Sequence, residues 1–230
     1  MTQFEIELQD AKSEIINMWD LVLLQLSKAK EAMINFDKDL AREVILKEKR
    51  VNAFELKIDR DCENIFALYC PVAVDLRFLL AVLKINNNLE RIGDIAEGIA
   101  RYIVESSVKY DMKILETVEV IKMFEDSISI LKDTRVAFEF EDTLLARTIF
   151  SRDDVLDDIN KRADENISAY IKENLNNIPE ALYILSIIRK LERVGDQSKN
   201  IAEEIIFYSE AKVLKHTPES EKDKKEEEGR

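Results

Sequence analysis

The 230-residue chain has one histidine, two cysteines, three prolines and four glycines, and no apolar run near the ~20 residues of a membrane span. Each scarcity excludes something. The sole histidine, His216, lies near the C-terminus, so a histidine-based zinc site, a Glu-x-x-His di-iron centre and a Ser-His-Asp triad all lack their imidazole. A phosphorelay histidine is missing for the same reason. Gly93 and Gly98 stand isolated in helical sequence and form no phosphate-cradling loop. Nothing here resembles an enzyme's machinery. Few glycines and prolines also leave an all-β chain without its turns and point to few, long helices. Cys62 and Cys70 lack a CxxC partner and read as buried free thiols in a reducing cytosol. "MTQFEIELQDAKSE" is acidic from the start and has no signal-peptide pattern, so a soluble, cytoplasmic protein without membrane insertion is expected. Positive charge is in deficit as well, at 34 Lys and Arg against 47 Asp and Glu. The net charge of −13 argues against nucleic-acid binding and for cations or basic partner surfaces.

What is present is helical periodicity. Ile15, Trp19, Val22, Leu23 and Leu26 share one face, and no period-two alternation is sustained. The spacing predicts helices at 3–35, 38–68, 72–106, 111–140, 143–174 and 179–210. Asp37 or Asp39 can cap the second helix and Asp111 the fourth. Pro71 suits a first turn after an extended Cys70, and Pro179 opens the last helix. Rods of this length are stable as a bundle rather than alone.

The chain also repeats itself. At an offset of 102, "LERIGD" (89–94) falls on "LERVGD" (191–196), which aligns Glu90 with Glu192, Gly93 with Gly195 and Asp94 with Asp196. At an offset of 105, Glu48 falls on Asp153, Asn52 on Asp157, Glu55 on Asn160 and Asp59 on Asp164. Internal duplication of a three-helix unit is the simplest account, giving an all-α fold of two similar three-helix bundles over 1–106 and 107–210. The remaining 211–230, with mixed charge and no apolar anchor in its final stretch, reads as a disordered tail.

Both copies carry acidic stripes. Positions 76, 79, 83, 86, 90, 94 and 97 lie along one helix face that is apolar for three turns and then acidic at Glu90, Asp94 and Glu97. Ile178, Ala181, Leu185 and Ile188 lead in the same way to Glu192 and Asp196. Like charges at i,i+4 repel by a few tenths of a kcal/mol, and a mid-helix glycine costs roughly 0.5–1 kcal/mol relative to alanine. A bound cation offsets the first cost; close approach of a neighbouring group explains the second. The preceding helices add Glu48, Glu55 and Asp59, and Asp153, Asp157 and Asp164, so two acidic stripes can face each other across a groove. Such an all-oxygen set suits Mg²⁺, Mn²⁺, Ca²⁺ or iron better than structural zinc. The alternative is that each helix leaves the core at this level and its carboxylates are merely solvated.

At these residues the chain resembles the PhoU family of bacterial phosphate-transport accessory and regulatory proteins. The resemblance rests on "PVAVDLRFLLAVLKINNNLERIGDIAEGIA" (71–100), "VNAFELKID" (51–59) and "LERVGDQSKNIAEE" (191–204) and reaches to about residue 210. It implies a duplicated three-helix bundle, often dimeric, whose (Glu/Asp)-x-x-x-Asp motifs bind metal clusters in some members. Those motifs fall on Glu55/Asp59, Glu90/Asp94, Asp153/Asp157 and Glu192/Asp196, with Glu97 and Asn200 beside them. The implied cofactors are metal ions on oxygen ligands, with iron, Mn²⁺, Mg²⁺ and Zn²⁺ left open. The chain departs from the family in carrying Gly98 in place of an asparagine. It also carries Lys199 where the first half has Glu97, so the first half is expected to hold metal more strongly. The implied role is negative regulation of phosphate uptake and phosphate-starvation signalling, through contact with a phosphate ABC transporter's ATPase subunit and a membrane sensor histidine kinase. A partner of a low-affinity phosphate or other ion permease, or a purely structural bundle, remains the alternative. "PVAVDLR" (71–77) is either a contact site or a helix start that carries Leu76 into the core.

Overall fold

A computed structural model describes residues 1–214. Seven α-helices follow one another: α1 (Gln3–Asn35), α2 (Lys38–Tyr69), α3 (Ala73–Glu105), α4 (Met112–Thr117), α5 (Val120–Phe140), α6 (Thr143–Glu173) and α7 (Ile178–Glu210), with a 3₁₀ turn at Leu175–Asn177. No strand occurs among the described residues. Helix starts follow capping chemistry. Thr2 and Glu5 form a capping box on α1, the Asp37 carboxylate accepts from the Asp39 and Leu40 amides, and Asp142 accepts from Leu145 at α6.

α1, α2 and α3 pack together, as do α5, α6 and α7, giving two similar three-helix bundles. The halves also pack on each other, α3 against α7 and α1 against α5, over one continuous apolar core. α3 and α7 run antiparallel. Phe78 meets Tyr208 with ring centroids 5.7 Å apart, the Lys84 ammonium lies 3.0 Å from Glu204, and Tyr102 meets Tyr183 at 5.3 Å. Buried Trp19 donates its indole N–H to the Leu131 carbonyl at 3.1 Å, a further tie between halves.

The duplication runs through the first helix of each half too. At the 105 offset, Phe36 and Glu141 are left-handed helix ends, and the next residues, Asp37 and Asp142, bond back to Ala32 and Ala137. Trp19 then matches Phe124, Leu26 matches Leu131 and Met33 matches Phe138, all of them buried.

Several expectations are corrected. The helix predicted over 111–140 is two, broken at Val118 and Glu119, where Glu119 takes φ 54°. Asp37, not Asp39, caps α2. Cys70 is left-handed at φ 47° rather than extended, so Pro71 precedes α3 and Val72 is its cap residue. Cys62 is buried, and that burial pushes its thiol up to about 12, but Cys70 is exposed. Leu76 stays 36% exposed and does not enter the core, which begins at Leu79. Of the tail expected over 211–230, residues 215–230 and with them His216 lie outside the described residues, while Leu214 is buried. Among the described residues no helix is long and apolar enough to cross a membrane.

Candidate functional site

Each half places an acidic helix face against its neighbour at the level of a glycine. In the first half α2 lies along α3, and Asn86, fully buried, donates to the Glu55 carbonyl at 3.0 Å and to the Asp59 carboxylate at 2.9 Å. Below them Glu48 points inward. It is 5% exposed and its Oε2 accepts from the Gln25 side-chain amide on α1 at 3.0 Å, while its Oε1 is buried with no hydrogen-bond partner. A Cβ added at Gly93 would stand 3.0 Å from Glu48 Oε2 and 3.1 Å from Val51 Cγ1. The glycine therefore makes room for a buried carboxyl from the adjacent helix.

The second half repeats this geometry with different chemistry. Asp153 is 1% exposed, and neither of its oxygens accepts a hydrogen bond of ordinary geometry. A Cβ at Gly195 would collide with Asp153 Oδ1 and stand 2.6 Å from Leu156 Cδ1. The Lys199 ammonium lies 3.4 Å from Asp153 Oδ2.

Around these buried groups the remaining carboxylates gather. Glu55, Asp59, Glu90 and Glu97 are half-buried and Asp94 is exposed in the first half; Asp157 and Glu192 are half-buried and Asp196 and Asn200 exposed in the second. Burial, then the charges of Asp94, Glu97 and Glu90 working against the Gln25 hydrogen bond, lifts the Glu48 carboxyl to about 7. Burial first, then Asp94 and Glu55, raises Glu90; burial, then Asp59 and Asp94, raises Glu55. Burial also lifts Asp153, to about 6, with Lys199 pulling the other way. Glu192 and Asp196 are raised by burial and by their acidic neighbours. Glu48, Glu55 and Glu90 in the first half, and Asp153, Glu192 and Asp196 in the second, thus sit in a field that disfavours their charged forms.

Glu97 pairs with Arg101 at 2.6 Å, one turn along α3. Lys190 of α7 stands where a Cβ of Gly98 would be, its ammonium 2.6 Å from that point and 5.7 Å from the Tyr102 ring centre. The charges of Asp94 and Glu97 raise its pKa, but burial and Arg193 outweigh them and leave it lowered.

The donor set is all oxygen, as a hard cation requires, and the unpartnered Glu48 oxygen faces this shared field. The first half fits a cation in these respects. Among the described residues, however, no three His, Cys, Asp or Glu side chains converge closely enough to hold a metal ion as they stand. Loading would need rotation of the exposed or half-exposed acids Asp94 and Glu90. The sequence reading missed Gln25 and left Glu48 out of its candidate ligands. A signal for Gln25 was present: it is a lone amide in the apolar run "LVLLQL" (21–26).

Two stacked three-helix bundles, each with a buried carboxyl under a helix glycine and an acidic face around it, define a duplicated all-α protein of the PhoU kind. The PhoU domain matches twice, at residues 15–103 and 120–205, and the chain belongs to the PhoU family. It is 34% identical over 96% of its length to the phosphate-specific transport system accessory protein PhoU of Escherichia coli strain K12, covering 91% of that protein. The crystal structure of PhoU from Pseudomonas aeruginosa superposes with a TM-score of 0.83 at 31% identity, covering 91% of this chain and all of that one. That of the phosphate transport system regulatory protein PhoU from Streptococcus pneumoniae gives 0.84 at 29%, covering 92% and 99%.

Proposed function

We propose that this protein is a negative regulator of phosphate uptake and phosphate-starvation signalling, a cytoplasmic homodimeric adaptor that acts by binding rather than by catalysis. Its partners in this reading are the ATPase subunit of a phosphate ABC transporter and a membrane sensor histidine kinase. The observation that carries the reading is the full-length relationship to proteins named for the phosphate-specific transport system, with the family domain matched in both halves. A chain with net charge −13 and long helical faces suits recognition of basic partner surfaces.

At least one of the acidic faces holds metal in this reading. Glu55, Asp59, Glu90, Asp94 and Glu97 would bind a divalent cation in the first half, and Asp153, Asp157, Glu192, Asp196 and Asn200 are the corresponding set. A bound cation supplies positive charge that offsets the repulsion among these carboxylates. Glu48 supports the reading through its oxygen that lacks a hydrogen-bond partner.

Deleting the gene tests the regulatory role: phosphate-scavenging functions should be expressed in high phosphate, and expression that stays repressed would refute it. Elemental analysis of the purified protein tests the metal. Stoichiometric metal should be present in the native chain and depleted in Glu90→Ala with Asp94→Ala, and a metal-free native chain would refute it.

A further inference from the structure

The two halves neutralise the same buried carboxyl in different ways. Glu48 and Asp153 are equivalent at the 105 offset, and each lies against the glycine of its neighbouring helix. Glu48 receives a neutral amide from Gln25. The residue at the same offset from Gln25 is Ile130, fully buried and without a donor, so no amide stands at that position in the second half. It has Lys199 instead, which occupies the position of Glu97 at the 102 offset and reaches Asp153 Oδ2 at 3.4 Å. We propose that the Lys199 ammonium is the resident cation of the second acidic site and takes the place of a metal ion there, so that the first half alone holds one.

The inference rests on the metal-binding part of the function proposed above and assigns that metal to one half. Relative to the first half, the exchange of Glu97 for Lys199 sets a positive group against the buried carboxyl, where a divalent cation would otherwise be drawn, while Glu203 in the place of Arg101 reverses the second charge one turn further on. Asp153 cannot give the lysine up without cost. Its oxygens accept no other hydrogen bond, and an uncompensated buried carboxylate is strongly destabilising. Of its two oxygens, Oδ1 is the atom closest to the Gly195 Cβ position and Oδ2 faces the ammonium, which leaves little of the carboxylate open to a further ligand. The first half differs in its cation. Glu48 Oε1 lacks a hydrogen-bond partner, as Asp153 Oδ1 does, but no ammonium acts on Glu48, and the cation nearest to Gly98, Lys190, makes no ion pair with Asp94 or Glu97 among the described residues.

The test uses the full chain stripped of metal, with Mn²⁺ alone as the probe, and follows both Mn²⁺ bound at equilibrium and amide hydrogen exchange in α6 and α7. Glu90→Ala with Asp94→Ala should abolish Mn²⁺ binding, and Glu192→Ala with Asp196→Ala should leave it unchanged. Lys199→Glu should add Mn²⁺ binding that the Glu192→Ala and Asp196→Ala changes remove. Without metal, Lys199→Met should speed exchange in α6 and α7 at least tenfold, and adding Asp153→Asn should restore the native rate. Mn²⁺ lost from the native chain through the second-half substitutions, or exchange unmoved by Lys199→Met, overturns the inference. A native chain that binds no Mn²⁺ defeats the metal reading of the proposed function. In that case the exchange result alone decides whether Lys199 holds Asp153.

Discussion

A methyl group added at Gly195 meets Asp153 and Leu156, both sealed in the core, so neither can yield without disturbing its own packing. Gly195→Ala should therefore destabilise by about 1–3 kcal/mol in thermal or denaturant unfolding, the usual cost of overpacking, despite alanine's better helix propensity. Gly98→Ala meets only the end of the flexible, half-buried Lys190 side chain. It should be neutral or stabilising by up to about 1 kcal/mol. The buried carboxyls set the pH response. Burial holds Glu48 up to about 7 and Asp153 up to about 6, against ordinary values of 4.5 and 3.8. Between those limits the folded chain binds more protons than the unfolded one, so their stabilising contribution is complete at low pH and is lost as pH rises through 6 and 7. The metal-free melting temperature should fall across that window, and Glu48→Gln should flatten the fall.

The helices that build the site depend on their caps. Asp37 and Asp142 each bind free amides at the start of the helix that carries Glu48 or Asp153. Asp37→Ala and Asp142→Ala should each cost about 0.5–2 kcal/mol in denaturant unfolding. Caps also explain why most boundaries were legible in the sequence. α1, α2, α6 and α7 begin within one residue of the positions read from periodicity, and Asp37 and Pro179 mark two of those starts in the sequence. The break at Val118–Glu119 was not legible, because "ETVEV" (116–120) contains no glycine or proline. Glu119 adopts its left-handed turn in tertiary context, with Arg162 from α6 at 2.9 Å. The candidate site was half legible for a related reason. Spacing puts the carboxylates on one face, but whether Glu48 is solvated or enclosed depends on α1, whose Gln25 is far from it in sequence. Lys199 was readable as an intruding charge; its partner, Asp153, required the packing of α6 on α7.

At the scale of the molecule, the interface of α3 with α7 and that of α1 with α5 merge the two bundles into one core. The chain should therefore unfold in one cooperative transition by heat, with helix content and tryptophan fluorescence changing together. That core leaves the outer helix faces, with their acidic charge, as the surface on which partners can act. The adaptor role is tested most directly by capturing the tagged full chain from cells grown in high and in low phosphate and identifying what accompanies it. The account predicts that the phosphate transporter's ATPase subunit and the sensor kinase co-purify in high phosphate. Recovery of neither under either condition would contradict it.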